Sequence, residues 1–310
     1  MKFLAKKETR ENLSVFLKGF LMGCADIVPG VSGGTIALIT GIYQRLIDGI
    51  RTFFDFFIWL FSRKGISSLL KLNKNKIMKE FRKIDFIFFS LLLAGIFLAI
   101  FLASNIIKHL IVNQPIATYS FFSGLILGSA AMLFISIQKK LRKIKLLPTA
   151  ILLFGAGISF IIAGISSGIS ESSRLMTFFS GFVGISAMIL PGISGAFILM
   201  LLGQYEYIID VIRTLNIPEI AIFSVGALTG LLILSRFLSY LLHKYENMTK
   251  SFLVGLMLGS LRYQTTIIRE QGQIETNLFS VGLFLLIGIS LVFGLFKISQ
   301  KKSLSQERTQ

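Results

Sequence analysis

Long apolar stretches broken by short polar ones dominate the chain. Six stretches are long enough, or nearly so, to cross a bilayer, which takes about 20 apolar residues: 85–111, 116–138, 147–165, 219–242, 249–268 and 277–297. Two further apolar regions are too long for one span and are interrupted. Residues 13–48 are broken by Pro29-Gly30-Val31-Ser32-Gly33-Gly34, and residues 175–212 by Pro191-Gly192-Ile193-Ser194-Gly195. Pro ends a helix and disfavours helical backbone just before it. Each region therefore reads as two half-helices of about 15 residues, each too short to span alone.

Charge decides how the broken regions sit. Most of the Lys and Arg fall in four tracts: residues 1–18, 63–83, 139–145 and the C-terminal tail from Lys297. Basic loops stay on the cytoplasmic side. If 13–48 crossed the membrane once, the basic tract at 63–83 would lie outside. A re-entrant hairpin keeps it inside, and every strongly basic tract then falls on one face, with both termini cytoplasmic. The predicted fold is an all-α polytopic membrane protein. Its order is hairpin 13–48, cytoplasmic basic loop 63–84 and spans within 85–165, then hairpin 175–212 and spans within 219–297.

The two halves are copies. At an offset of 162, residues 19–52 match 181–214 with 16 identities in 34 positions. The matches include Gly19/Gly181, Pro29/Pro191, Ser32/Ser194, Gly41/Gly203, Tyr43/Tyr205, Asp48/Asp210 and Arg51/Arg213. At an offset of 131, residues 124–129 match 255–260, and Gly157-Ile158-Ser159 matches Gly288-Ile289-Ser290. Three spans separate the hairpins, so the second half (175–297) inserts upside down relative to the first (13–165). Inverted repeats of this kind are typical of secondary transporters, with a site near the midplane where the repeats meet.

Composition excludes several classes. The chain is 54% hydrophobic and 15% charged, against about 25% charged residues in a soluble domain. A single cysteine, Cys24, leaves no internal disulfide or thiolate metal cluster, and the two His lack zinc-site spacing. No cofactor is indicated. A net charge of +17 would suit nucleic acid in a soluble protein. Here basic and aromatic residues are not interleaved on one face as a stacking groove requires, so the charge points to anionic lipid headgroups. No nucleotide-binding P-loop is present.

The interrupted segments carry the candidate chemistry. A half-helix starting near Thr35 or Ala196 would place its positive end and free backbone N–H groups at the hairpin tip, a natural seat for phosphate. Ser32 and Ser194 would cap those half-helices or donate to a phosphate oxygen. The predicted substrate-binding set is Asp26, Pro29, Gly30, Ser32, Gly33, Gly34 and Thr35 at the first break, and Pro191, Gly192, Ser194 and Gly195 at the second. Arg236 and Arg262, within or near spans, complete it. Asp26 has Met188 as its repeat counterpart; an intramembrane carboxylate is costly and a functional candidate. Two readings stand for it: acceptor of a coupling proton, or acceptor of the loop's own N–H groups. Gly124, Gly128, Gly255 and Gly259 have the spacing of close helix packing. Asp48/Arg51 and Asp210/Arg213 read as i,i+3 surface ion pairs, and His109 and His243 as interfacial bystanders.

The stretch Met22-Gly23-Cys24-Ala25-Asp26-Ile27-Val28-Pro29-Gly30-Val31-Ser32-Gly33-Gly34-Thr35, continuing to Gly41-Ile42-Tyr43, resembles the PopT-type polyprenyl-phosphate transporters. The second motif, from Met188 to Gly195 and on to Gly203-Gln204-Tyr205, is similar to that family's second signature. The resemblance runs from about residue 13 to 297. It implies a multi-pass protein of the bacterial cytoplasmic membrane that returns undecaprenyl phosphate from the outer to the inner leaflet. Such a lipid-carrier transporter is not an enzyme; a coupling proton or Na+ is a possible partner. The chain departs from perfect symmetry at Ala196, where the first motif has Gly34.

Two other readings stay open on residues alone. One is an undecaprenyl-pyrophosphate phosphatase-like enzyme. That chemistry needs a nucleophile, a base and cationic stabilisers together, whereas here Gly33 and Gly195 follow the motif serines. The other is a transporter of a small soluble anion.

Overall fold

The computed structural model describes residues 2–28, 31–62, 67, 74–141, 146–165, 173–270 and 274–307. Pro29, Gly30 and most of the basic stretch at 63–73 lie outside the described residues, so those predicted positions are not placed. The described residues contain helices and no strand. In chain order these are α1 (Lys2–Asp26), α2 (Gly33–Ile39), α3 (Tyr43–Phe61), α4 (Lys74–Phe81), α5 (Phe86–Asn113), α6 (Pro115–Leu141) and α7 (Leu146–Ile162). They continue with α8 (Arg174–Met188), α9 (Gly195–Leu201), α10 (Tyr205–Arg213), α11 (Ile217–Lys244), α12 (Glu246–Glu270) and α13 (Ile274–Glu307).

Among the described residues three helices, α5, α6 and α11, are long and apolar enough to cross a membrane. Helix α7 and the stretch 278–294 of α13 are apolar but shorter. The predicted span at 249–268 does form a helix, α12, but it is not among the sufficiently apolar ones. The reason is its position. Leu253, Val254, Leu256 and Met257 are essentially inaccessible, and Ser251, Ser260 and Gln264 are buried beside them. A helix surrounded by protein can carry polar side chains that a lipid-facing helix cannot. Large apolar residues instead crowd the outside: Phe97, Phe101, Phe154, Ile161 and Phe279 are all more than half exposed. An apolar exterior of that extent suits a multi-pass membrane protein.

Both interrupted regions break where Pro demands, with α1 ending at Asp26 and α8 at Met188. The second limbs differ from the predicted 15 residues. Helices α2 and α9 are seven residues each. Each stops at a glycine in the left-handed region, Gly41 (φ +74°) and Gly203 (φ +65°). The Ile42 amide returns to the Ala37 carbonyl and the Gly41 amide to Leu38, a Schellman closure; Gln204 to Leu199 and Gly203 to Met200 repeat it. The chain then turns into the amphipathic helices α3 and α10, with α9 and α10 bent by 110°.

Glycines set the packing, and the same contacts recur at the repeat offsets. A Cβ on Gly19 would meet the Leu92 carbonyl, and one on Gly181 the Phe223 carbonyl, so α1 lies on α5 as α8 lies on α11. Gly124 abuts Leu285 and Gly255 abuts Leu152, so each half's last long helix packs on the other half's middle one. In those last helices Gly288 meets Phe121 while Gly155 meets Phe252. The contacts thus equate Gly288 with Gly155, two residues from the Gly157 suggested by sequence identity. Gly157 itself faces open space.

Candidate functional site

Helix α2 begins as the sequence predicts of a Ser-capped half-helix, although it starts at Gly33 and not Thr35. Ser32 has extended backbone, and its Oγ accepts from the Gly34 amide at 3.1 Å. The Thr35 amide is satisfied by the Ser32 carbonyl at 2.9 Å. The Gly33 amide donates to Asp26 Oδ1 at 2.6 Å. Asp26 therefore supplies the anion that the positive end of a half-helix attracts, and it comes from the chain itself. Gly33 leaves room for it, since a Cβ there would sit 2.5 Å from the carboxylate.

The two motifs lie against each other. Ser32 Oγ donates toward the carbonyls of Met188 (3.1 Å) and Leu190 (3.2 Å). The Gly192 amide donates to Thr35 Oγ1 at 2.9 Å. Tyr43 Oη donates to the Ile189 carbonyl at 3.0 Å. These groups are buried: Ser32, Thr35 and Tyr43 are about 1–2% exposed. The first loop's hydroxyls thus satisfy the carbonyls that the end of α8 leaves free, which buried backbone requires. Gly192 takes φ +83° and comes so close to Leu256 and Met257 that a Cβ would lie 2.7 Å from their backbone. Gly34 likewise packs on the Ile189 carbonyl.

The second tip is built differently. Ser194 caps α9 through the Phe197 amide at a long 3.5 Å. No carboxylate stands where Asp26 does, because Met188 occupies that place and packs against Gly195. Among the described residues, the Gly195 and Ala196 amides have no hydrogen-bond acceptor. A small pocket opens beside this tip, lined by Gly192, Ile193, Ser194 and Phe197 with Ser159, Ser260 and Tyr263. The Phe197 and Tyr263 rings face each other, with centroids 4.8 Å apart.

The two predicted arginines are elsewhere. Arg236, on α11, is engaged by Asp55 of α3 through Nε at 3.1 Å and through Nη2. Arg262, on α12, donates to the Phe160 carbonyl at 3.0 Å and lies over the Phe160 ring. Phe160 is two residues from the pocket-lining Ile162. Arg262 is therefore on the Phe160 face of α7 and does not line the pocket, although its neighbour Tyr263 does; Arg236 is at a separate, charged cleft. That cleft is lined by Asp48, Arg51, Thr52, Asp55, Phe56, Glu80, Lys83 and His243.

Within the cleft the predicted i,i+3 pairs do not form. Asp48 accepts from Ser239 Oγ at 2.6 Å. Arg51 reaches Ser239 (3.1 Å) and Asp55 (3.4 Å). His243, far from a bystander, places Nδ1 2.8 Å from the Ser239 carbonyl and Nε2 3.7 Å from Asp48. Packing of α3 on α11 puts Ser239 against both Asp48 and Arg51, while Arg51 also pairs with Asp55 one turn along its own helix. Asp210 and Arg213 form no ion pair among the described residues. No group of three His, Cys, Asp or Glu that would hold a metal occurs among the described residues.

Sequence reasoning missed Tyr43, Tyr263, Ser159 and Ser260. Three carried a signal, Tyr43 matching Tyr205, Ser159 matching Ser290 and Ser260 matching Ser129 in the repeat; Tyr263 carried none. Ser159, Ser260 and Tyr263 are brought together by the packing of α7 on α12.

Residues 22–299 match the model of a protein family described as undecaprenyl phosphate translocase-like. A polyprenyl-phosphate transporter of Vibrio cholerae is 39% identical over 254 residues, covering 82% of this chain and 78% of the relative. A polyprenyl-phosphate transporter of Staphylococcus aureus is 31% identical over 260 residues, covering 79% of this chain and 83% of its own length. No solved structure matches.

Proposed function

This chain belongs to the undecaprenyl phosphate translocase-like family, and from that membership we propose that it moves undecaprenyl phosphate, or a similar polyprenyl phosphate, from the outer to the inner leaflet of the bacterial cytoplasmic membrane. Its relatives are named as transporters, not as enzymes. The two halves are inverted repeats, each a re-entrant hairpin followed by three membrane helices, with both termini cytoplasmic. Alternating access exposes the site first to one leaflet and then to the other. The lipid tail stays in the bilayer while the phosphate crosses in a protein-lined path.

The observation that carries this reading is the contact between the two motifs. Ser32 and Thr35 are hydrogen-bonded to the loop at 188–192, although about 157 residues separate them along the chain. Unwound backbone at membrane depth is tolerated where it is buried in protein or lines a cavity, and both conditions hold at these tips. The phosphate is held at the hairpin tips, but the tips do not share it equally. At the first, Asp26 already takes the Gly33 amide. At the second, Ser194 faces a pocket with two further hydroxyls and Tyr263. The headgroup therefore rests against Ser194, Gly195 and Ala196. A coupling proton or Na+ would act at Asp26, because neutralising that carboxylate weakens its hold on the Gly33 amide and lets the headgroup compete for the first tip.

The test is a leaflet assay. Purified protein is reconstituted in vesicles with polyprenyl phosphate, and outward-facing lipid phosphate is labelled over time. Wild type should deplete the label; Ser194→Ala, Gly33→Leu, Ser32→Ala and Asp26→Asn should each slow it. If all four move lipid like wild type, the tips are not the site. Parallel vesicles loaded with inorganic phosphate, or carrying a polyprenyl pyrophosphate, separate soluble-anion transport and phosphatase activity from lipid movement.

A further inference from the structure

The sequence repeat gives some contacts of the first half a counterpart in the second. Tyr43, Asp48 and Ile189 correspond at offset 162 to Tyr205, Asp210 and Ile27, and Ser239 corresponds at offset 131 to Lys108. In the first half the contacts are made. Helix α3 packs on α11, Asp48 accepts from Ser239, and Tyr43 holds the Ile189 carbonyl. In the second half they are not. Helix α10 makes no comparable packing on α5, Asp210 and Lys108 are exposed, and neither has a partner among the described residues. The pocket beside Ser194 lies between the last turn of α7 and residues 260–263 of α12.

Resting on the transporter reading above, we propose that α3 on α11 is one gate of the path, shut in this structure, and α10 on α5 is the opposite gate, open in it. In the alternate state Asp210 pairs with Lys108 and Tyr205 takes the Ile27 carbonyl, while α3 leaves α11. Repeats that exchange conformations account for the asymmetry, because the set of contacts made by one half is released as the other half makes its own. Replacement of Ser239 by Lys108 in the second half makes that gate's contact an ion pair, with Asp210 also within one turn of Arg213. The basic tract before α4 puts the α3 gate on the cytoplasmic face, so the structure is open to the outer leaflet.

The single native cysteine makes the experiment direct. In a Cys24→Ser background, Asp48→Cys with Ser239→Cys reports the first gate, and Asp210→Cys with Lys108→Cys the second. In proteoliposomes holding polyprenyl phosphate, each pair should form a disulfide on oxidation, and either disulfide should stop lipid movement until it is reduced. A chain with all four cysteines should carry one bridge or the other, rarely both. Charge reversal is the second measure: Asp210→Lys and Lys108→Asp should each slow transport at least tenfold, and together restore it to within about twofold. If the 108/210 pair never bridges and the charge reversals are silent while lipid still moves, the gate assignment is wrong and transport stands. If the pairs bridge alternately but no lipid moves in any protein, the gates stand and the lipid reading falls. Both bridges closing in the same molecules at high yield overturns the gates.

Discussion

The Asp26 carboxylate and the Gly33 amide, on opposite sides of the first break, close on each other at 2.6 Å. A charge-assisted bond of this kind contributes about 1.5–3 kcal/mol, and here it also fixes where α2 begins. Asp26→Ala should therefore lower the thermal midpoint in detergent more than Asp26→Asn, which keeps an acceptor oxygen. Gly33→Ala places a Cβ 2.5 Å from the same carboxylate and should destabilise by pushing it away. In an Asp26→Ala background the three atoms nearest the added methyl are gone, so the double variant should be no less stable than Asp26→Ala alone. Additive losses would show that Gly33 is crowded by something other than Asp26.

How much of this was legible in the sequence follows from what each residue touches. The Pro and Gly of the two breaks act through their own backbone, so the ends of α1 and α8 could be read directly. Gly41 and Gly203 carried the same kind of signal for the ends of α2 and α9, but an unbroken apolar run masked it. Partners remote in sequence were not readable. Asp55 meets Arg236 across 181 positions, and Tyr43 meets a backbone carbonyl, which has no residue type to recognise. The polar character of α12 was misleading for a related reason. Hydropathy measures what lipid would tolerate, whereas this helix is surrounded by other helices.

Tyr43 ends in a buried hydrogen bond to the Ile189 carbonyl. Tyr43→Phe keeps the ring's packing and removes only the donor. The carbonyl is left unpaired, a loss of about 1–3 kcal/mol. Hydrogen exchange by mass spectrometry should show faster exchange at residues 189–193 and little change in α5. Unchanged exchange there would mean that the hydroxyl does not hold the second loop.

Close packing between the halves predicts a contrast among glycines. Gly255→Ala would drive a methyl to 2.1 Å from the Leu152 carbonyl, and Gly124→Ala to the same distance from Leu285. Backbone must move apart in both, and each should reduce the yield of folded, monodisperse protein severalfold. Gly157→Ala and Gly282→Ala meet open space. They should be neutral or stabilising by up to about 1 kcal/mol from helix propensity. Size-exclusion profiles of the four variants make the comparison.

Arg236 and Asp55 tell whether the half-exposed arginine on α11 serves substrate or scaffold. Both side chains are about 41% exposed, so the pair is worth about 0–1 kcal/mol. If its task is to hold α3 against α11, then Asp55→Asn and Arg236→Gln should produce the same change in lipid movement, and the double variant should match either single one. A phosphate ligand would behave otherwise: Arg236→Gln alone would weaken substrate binding, and Asp55→Asn would free the guanidinium and strengthen it. Measuring polyprenyl-phosphate binding and transport for the three variants separates the two, because the scaffold role predicts coupled effects of one sign and the ligand role predicts opposite signs.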